Sequence, residues 1–136
     1  MLSRKTKYGI KALTYLAKNG NEKPIAISTI AKAENIPHKF LESILLELRR
    51  QDILTSRKGK GGGYLLLTTP DEIKMSKVHR ILEGPIAMLP CVSLNFYEKC
   101  EDCKDEETCS VNRLMAQVRD NTLAILENQT LADLLK

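Results

Sequence analysis

Outside one stretch of nineteen residues the chain has no cysteine: Cys91, Cys100, Cys103 and Cys109 are all that it contains. It lacks any run of about 18 apolar residues able to span a bilayer. Its first residues, MLSRKTKYGIKA, thread charge through the place where a signal sequence keeps an unbroken apolar core. These absences predict a cytoplasmic protein with no membrane partner. No dinucleotide fingerprint occurs, and no acid, base and nucleophile set points to a common centre, so the grounds for an enzyme are thin. The enzymatic reading left is an oxidoreductase using the CxxC of Cys100 and Cys103, or a cluster, for electron transfer. Acid is scarce in residues 1 to 80, where 7 Asp and Glu face 16 Lys and Arg for a net +9; residues 81 to 136 carry 10 against 5, for −5. The overall charge of +4 hides this split, which predicts a polyanion as partner of the first part alone.

With 136 residues the chain is the size of one ordinary domain, about 100 to 150 residues. All four thiols fall in CVSLNFYEKCEDCKDEETC, residues 91 to 109. In a reducing cytosol such a cluster reads as metal ligands or redox switches and not as structural disulfides. Glu98, Lys99, Glu101, Asp102, Lys104, Asp105, Glu106 and Glu107 argue against burial of the segment as inert core. Four thiolates suit an iron-sulfur cluster or tetrahedral zinc, and cluster-free, oxidation-sensitive thiols are the third possibility.

Before that loop, Tyr8, Ala12, Leu13, Leu16 and Ala17 recur at helical spacing from Ser3 to about Lys18, with Asn19-Gly20 as a stop. The other face of this helix carries Arg4, Lys5, Lys7 and Lys11, which either meet phosphates or are simply solvated. Ser28, as an N-cap, opens a helix through Ile30, Ala31 and Ala33, with Thr29 on its first turn, and Asn35-Ile36-Pro37 breaks it. The next helix runs from His38 to Arg50. It turns Leu41, Ile44, Leu45 and Leu48 inward and leaves His38, Lys39, Glu42 and Ser43 for base edges, which makes the pair a helix-turn-helix. Residues 53 to 67 read as a β-hairpin whose glycine-rich loop presents Arg57, Lys58, Gly59 and Lys60 to phosphates or a minor groove. A phosphate-binding P-loop would need Lys and Ser or Thr after the last glycine, and a helix; Tyr64 and a strand follow instead.

Ser76 is expected to cap a short helix bearing Val78, Ile81 and Leu82 that ends at Glu83-Gly84-Pro85. His38 and His79 stand apart from any ligand cluster. From Val111 the positions Leu114, Met115, Val118, Thr122, Ile125 and Leu126 hold three and four spacing, a one-sided helix suited to core packing or to a two-fold dimer seam. Thr130 to Asp133 resembles a capping box for a last short helix. The architecture expected is mainly α with a small β-wing. A winged helix-turn-helix head spans residues 1–84, a cysteine-rich sensor loop 85–110, and a dimerisation helix with its tail 111–136.

The motifs RKGKGGGYLL at 57 to 66 and ILEGPIAMLPC at 81 to 91, the cysteine loop, the long helix and the closing TLADLL occur in one order. In this the chain resembles, over nearly its whole length, the IscR, NsrR and CymR family of bacterial winged-helix regulators. The resemblance implies a homodimeric transcription factor on a palindromic DNA operator, with Glu42 choosing among sites. It also implies an iron-sulfur cluster, of the 2Fe-2S type with 4Fe-4S as the variant, on three cysteines that match Cys91, Cys103 and Cys109. The cluster regulator of the family has a histidine where Asn112 stands, and the nitric-oxide-sensitive one an acid where Lys7 stands. Cys100 is the extra cysteine and the candidate fourth ligand, with solvent or the partner subunit as the other sources. The CymR branch, which works through a partner enzyme, keeps open a cofactor-free or zinc-binding regulator governed by thiol oxidation or by a partner protein.

Overall fold

The computed structural model describes residues 2–20 and 22–136. The Ser3 hydroxyl accepts from the Thr6 amide and opens helix α1, Arg4–Asn19. This N-cap bond satisfies one of the amides that a helix start leaves without a partner. Ala12, Leu13 and Leu16 go to the core as the spacing requires, and Gly9 and Thr6 join them. Thr6 is fully buried because the Glu83 carboxylate accepts from its hydroxyl.

Helix α2 spans Ile27–Glu34 and helix α3 His38–Arg50. Asn35, at φ 54°, makes the left-handed turn between them, and Ile36 is buried beneath it. The four inward residues expected of α3, Leu41, Ile44, Leu45 and Leu48, are each 0 % exposed. At the start of α2 the expectation fails: Ala26 is the N-cap and no side chain caps it, so Ser28 lies inside the helix. The reason is tertiary. Ile25 pairs with Tyr64, donating at 2.8 Å and accepting at 2.9 Å, and the chain leaves that bridge already turned into the helix.

Strands β1, Leu54–Arg57, and β2, Gly63–Leu66, pair antiparallel, with Leu54 opposite Leu66 and Arg57 opposite Gly63. After a 3-10 turn at Pro70–Glu72, helix α4 covers Met75–Leu82. Its N-cap is Lys74 and not the expected Ser76, which is buried and gives its hydroxyl to Glu127. Helix α5, Ser110–Asn128, is the long one, and none of its residues is buried. The capping box at Thr130 and Asp133 is present and opens a 3-10 helix, Leu131–Leu135. Leu131 is 0 % exposed in the core of the head, and its amide donates to the Ile73 carbonyl at 2.9 Å. The core is therefore one body of mostly aliphatic side chains, with Tyr64 among them, from α1 to α4, the hairpin and Leu131, with Leu126 of α5 packed against it. Mostly helical, with a two-stranded wing, the fold is of the class the sequence predicts.

Candidate functional site

Two surfaces carry the chemistry. The first is the candidate reading face. His38, Lys39, Glu42 and Ser43 of α3 are exposed, and so are Ser28 and Thr29 at the start of α2. His38 Nδ1 lies 3.9 Å from Glu42 Oε2, one helical turn on. The Ser43 hydroxyl donates to the Phe40 carbonyl at 2.8 Å and is turned back onto its own helix. At the wing tip Arg57, Lys58, Gly59 and Lys60 are exposed, and among the described residues none of these three cations has a carboxylate partner. The basic face of α1 differs: Lys5 pairs with Glu47 at 2.7 Å, and Lys11 reaches the Glu34 carbonyl at 3.1 Å. Of the cations expected there, only Arg4 and Lys7 are exposed. The Ile25–Tyr64 bridge ties the wing to the entry of α2.

The second surface is the thiol loop. It leaves the head through a 3-10 turn at Pro90–Val92 and returns through another at Glu106–Thr108, directly into α5. All four cysteines are free and partly exposed. Glu106 organises the loop, a role the sequence does not signal. The Tyr97 hydroxyl donates to both of its oxygens at 2.9 and 3.0 Å, and the Cys100 amide to one of them at 3.1 Å. The bond to Glu106 pushes the Tyr97 hydroxyl pKa up.

Cys109 is the N-cap of α5, and its sulfur accepts from the Asn112 amide at 3.5 Å. That bond is the main cause of the lowered pKa of Cys109. The sulfur of Cys103 faces that of Cys109; partial burial raises its pKa, and it also donates to the Asp105 carbonyl at 3.2 Å. Cys91 reaches the same helix start through Asn112, whose Nδ2 donates to its sulfur at 3.4 Å. The structure thus brings Cys91, Cys103 and Cys109 to the N-terminus of α5, with Cys100 on the Glu106 side. Among the described residues no three His, Cys, Asp or Glu side chains converge at metal-holding geometry. In chemistry the donor set fits a thiolate-bound group: four free sulfurs, with amide N–H donors already aimed at two of them. To take such a group up, the loop has to draw its sulfurs closer.

α5 itself leaves a bare apolar stripe. Val111, Leu114 and Ile125 are 54 %, 54 % and 64 % exposed, with Met115 and Val118 half-buried between them. Arg119, on the other side, donates to the Val92 carbonyl at 2.8 Å and holds the exit of the head against the helix. No helix among the described residues is long and apolar enough to cross a membrane.

Residues 2–136 match the family model described as Rrf2, an iron-dependent transcriptional regulator. An rrf2-like HTH-type transcriptional regulator of Rhodobacter capsulatus is 38 % identical, over 99 % of this chain and 92 % of that protein. Among solved structures, CymR (YrzC), the global cysteine regulator of B. subtilis, superposes with a TM-score of 0.80 at 31 % identity, covering 99 % of this chain and 95 % of that one. IscR of T. potens gives 0.79 at 27 % identity, with 99 % and 85 % covered.

Proposed function

The chain belongs to the Rrf2 family of transcriptional regulators, and on that premise we propose a cytoplasmic homodimer whose hold on a palindromic DNA operator is set by an iron-sulfur cluster in its cysteine loop. Like its named relatives it is a regulator and not an enzyme, which sets the oxidoreductase reading aside. Residues 1–84 read the DNA, 85–110 sense, and 111–136 pair the two subunits and tie them to the heads. α3 enters the major groove with His38, Lys39, Glu42 and Ser43 at base edges, and Ser28 and Thr29 contact the flanking backbone. Glu42 accepts from a cytosine amino group, so Glu42→Ala should relax discrimination across an operator library. The wing follows the phosphates with Arg57, Lys58, Gly59 and Lys60. Val111, Leu114, Met115, Val118 and Ile125 form the seam with a second copy, which removes their apolar surface from water at about 25 cal/mol per Å².

Cys91, Cys103 and Cys109 are the cluster ligands and Cys100 is the fourth, an all-thiolate set that suits 2Fe-2S and equally 4Fe-4S. When bound, the cluster supplies reversible one-electron transfer at a potential set by its charge, its exposure and hydrogen bonds to sulfur. What carries this reading is the double position of Cys109, candidate ligand and N-cap of the dimer helix in one side chain. A change in what its sulfur binds alters the first turn of α5, and α5 sets the spacing of the two heads. Anaerobic reconstitution with iron and sulfide, read by visible absorption and iron content, tests it. Cys100→Ala should alter the spectrum, and wild-type protein that stays colourless and iron-free sinks the cluster.

The facing sulfurs of Cys103 and Cys109 favour one alternative. A two-electron oxidant would join them as a disulfide, removing both thiol protons, in a cofactor-free regulator. Zinc on the four thiolates, or control by a partner protein, would likewise leave the protein colourless. Mass analysis after peroxide treatment separates the disulfide from these two.

A further inference from the structure

Asn112 stands one turn into α5 and donates to two sulfurs, to Cys91 from Nδ2 at 3.4 Å and to Cys109 from its backbone amide at 3.5 Å. These cysteines belong to opposite ends of the loop: Cys91 follows the head, and Cys109 begins the dimer helix. Seven residues on, two helical turns along the same face, Arg119 donates to the carbonyl of Val92 at 2.8 Å. α5 therefore grips two successive residues of the Pro90–Val92 turn, one by its sulfur and one by its backbone. The grip on sulfur is the informative one. A carboxamide offers two N–H donors and an oxygen, and here it turns a nitrogen toward the sulfur of Cys91.

We propose that Asn112 is the positioning residue of the thiol site. It does not ligate; it holds the two ends of the loop together and, resting on the cluster reading above, sets the electron affinity of the cluster they bind. Reduction adds negative charge that spreads onto the ligand sulfurs, and an N–H aimed at sulfur stabilises the reduced state more than the oxidised one. A side chain with no donor at this position makes the cluster harder to reduce.

The test compares wild type with Asn112→Leu, Asn112→Asp and Arg119→Met. Protein reconstituted anaerobically with ferrous iron and sulfide is titrated for its reduction potential. Cluster-free protein is followed by deuterium uptake at the Val92 and Ser93 amides, which bond to Leu89 and Pro90 within the gripped turn. Asn112→Leu should lower the reduced-to-oxidised ratio about tenfold at the wild-type midpoint, about 59 mV for one electron. Asn112→Asp, nearly isosteric, should lower it further because it adds negative charge. Arg119→Met should speed deuterium uptake as Asn112→Leu does, yet keep the wild-type potential. An unchanged potential in both Asn112 variants, or an equal drop in Arg119→Met, overturns the role in tuning. If wild type takes up no iron and sulfide, the cluster reading fails separately, and deuterium uptake then judges Asn112 alone. Faster exchange in Asn112→Leu upholds the holding role, and exchange equal to wild type removes it.

Discussion

Gly63→Ala should detach the wing from the reading helices while leaving every charged residue of the wing in place. Gly63 sits at φ 152° with its α-carbon against the Ile25 backbone, so an added Cβ would fall 2.2 Å from the Ile25 carbonyl oxygen and 2.7 Å from the Ala26 nitrogen. Neither atom is the free end of a side chain, and relief has to come from separating the two segments. The bonds broken are Ile25 N–H to the Tyr64 carbonyl and Tyr64 N–H to the Ile25 carbonyl. At about 1 kcal/mol net for each bond, with about 1 kcal/mol more for an alanine in this conformation, the cost is roughly 3 kcal/mol. For a chain of this size that lowers Tm by roughly 10 °C. Gly61 is the control: its φ is 78°, but an added Cβ meets nothing within 4 Å, so Gly61→Ala pays only the conformational part, about 1 kcal/mol. Far-ultraviolet circular dichroism during heating, at one fixed protein concentration because the proposed dimer would contribute, reads both variants. Gly63→Ala should also bind operator more weakly, with the wing no longer held beside α3. Equal Tm losses in the two variants, or a Gly63→Ala protein with wild-type Tm and affinity, would refute the reasoning.

Arg57→Ala combined with Lys60→Ala should weaken binding to all DNA sequences and reduce the salt slope by about 0.9 for each phosphate that these side chains neutralise; anisotropy titrations at several salt concentrations check it, and an unchanged slope places these cations off the DNA. Leu114→Asp with Val118→Asp puts charge in the apolar stripe of α5, so sedimentation should show a wild-type dimer and a monomeric variant. Glu83 accepts from the Ser3 and Thr6 hydroxyls, chiefly Ser3, and these bonds hold its pKa below the ordinary 4.5. A depressed carboxylate pKa gives stability that is complete above the unfolded value and is lost as pH falls through the folded one. Urea midpoints of wild type should therefore fall as pH drops below about 4.5, and Glu83→Gln should show a flatter acid limb.

Periodicity made α3 legible because all its inward positions face one continuous apolar core, where helical spacing and burial coincide. It also found the wing, since turn glycines between β-prone runs have few other uses. Local rules failed where a distant partner intervenes. Ser76 looks like a cap, yet its hydroxyl goes to Glu127, fifty-one residues on, and Thr6 is buried for the sake of Glu83, seventy-seven residues on. Ser28 lost its capping place to a backbone bridge at Ile25 that no side-chain pattern announces. In the thiol loop, spacing identified the sulfurs but not their neighbours. Asn112 was visible only as a missing histidine, and its two bonds to sulfur depend on how the head exit folds back on α5. Glu106 was one acid among several in a charged run until the fold brought Tyr97 and the Cys100 amide to it.

The central claim is that the state of the thiol loop governs DNA binding, and operator affinity measured across loop states tests it most directly. The DNA is a site enriched by the protein itself from random sequence. The proteins are the iron- and sulfide-loaded form, the cluster-free form, and Cys91→Ala/Cys103→Ala/Cys109→Ala, all titrated anaerobically at one salt concentration. The account predicts that loaded and cluster-free protein differ at least tenfold in Kd, about 1.4 kcal/mol, and that the triple variant is insensitive to iron and sulfide. The same Kd for all three proteins would contradict it.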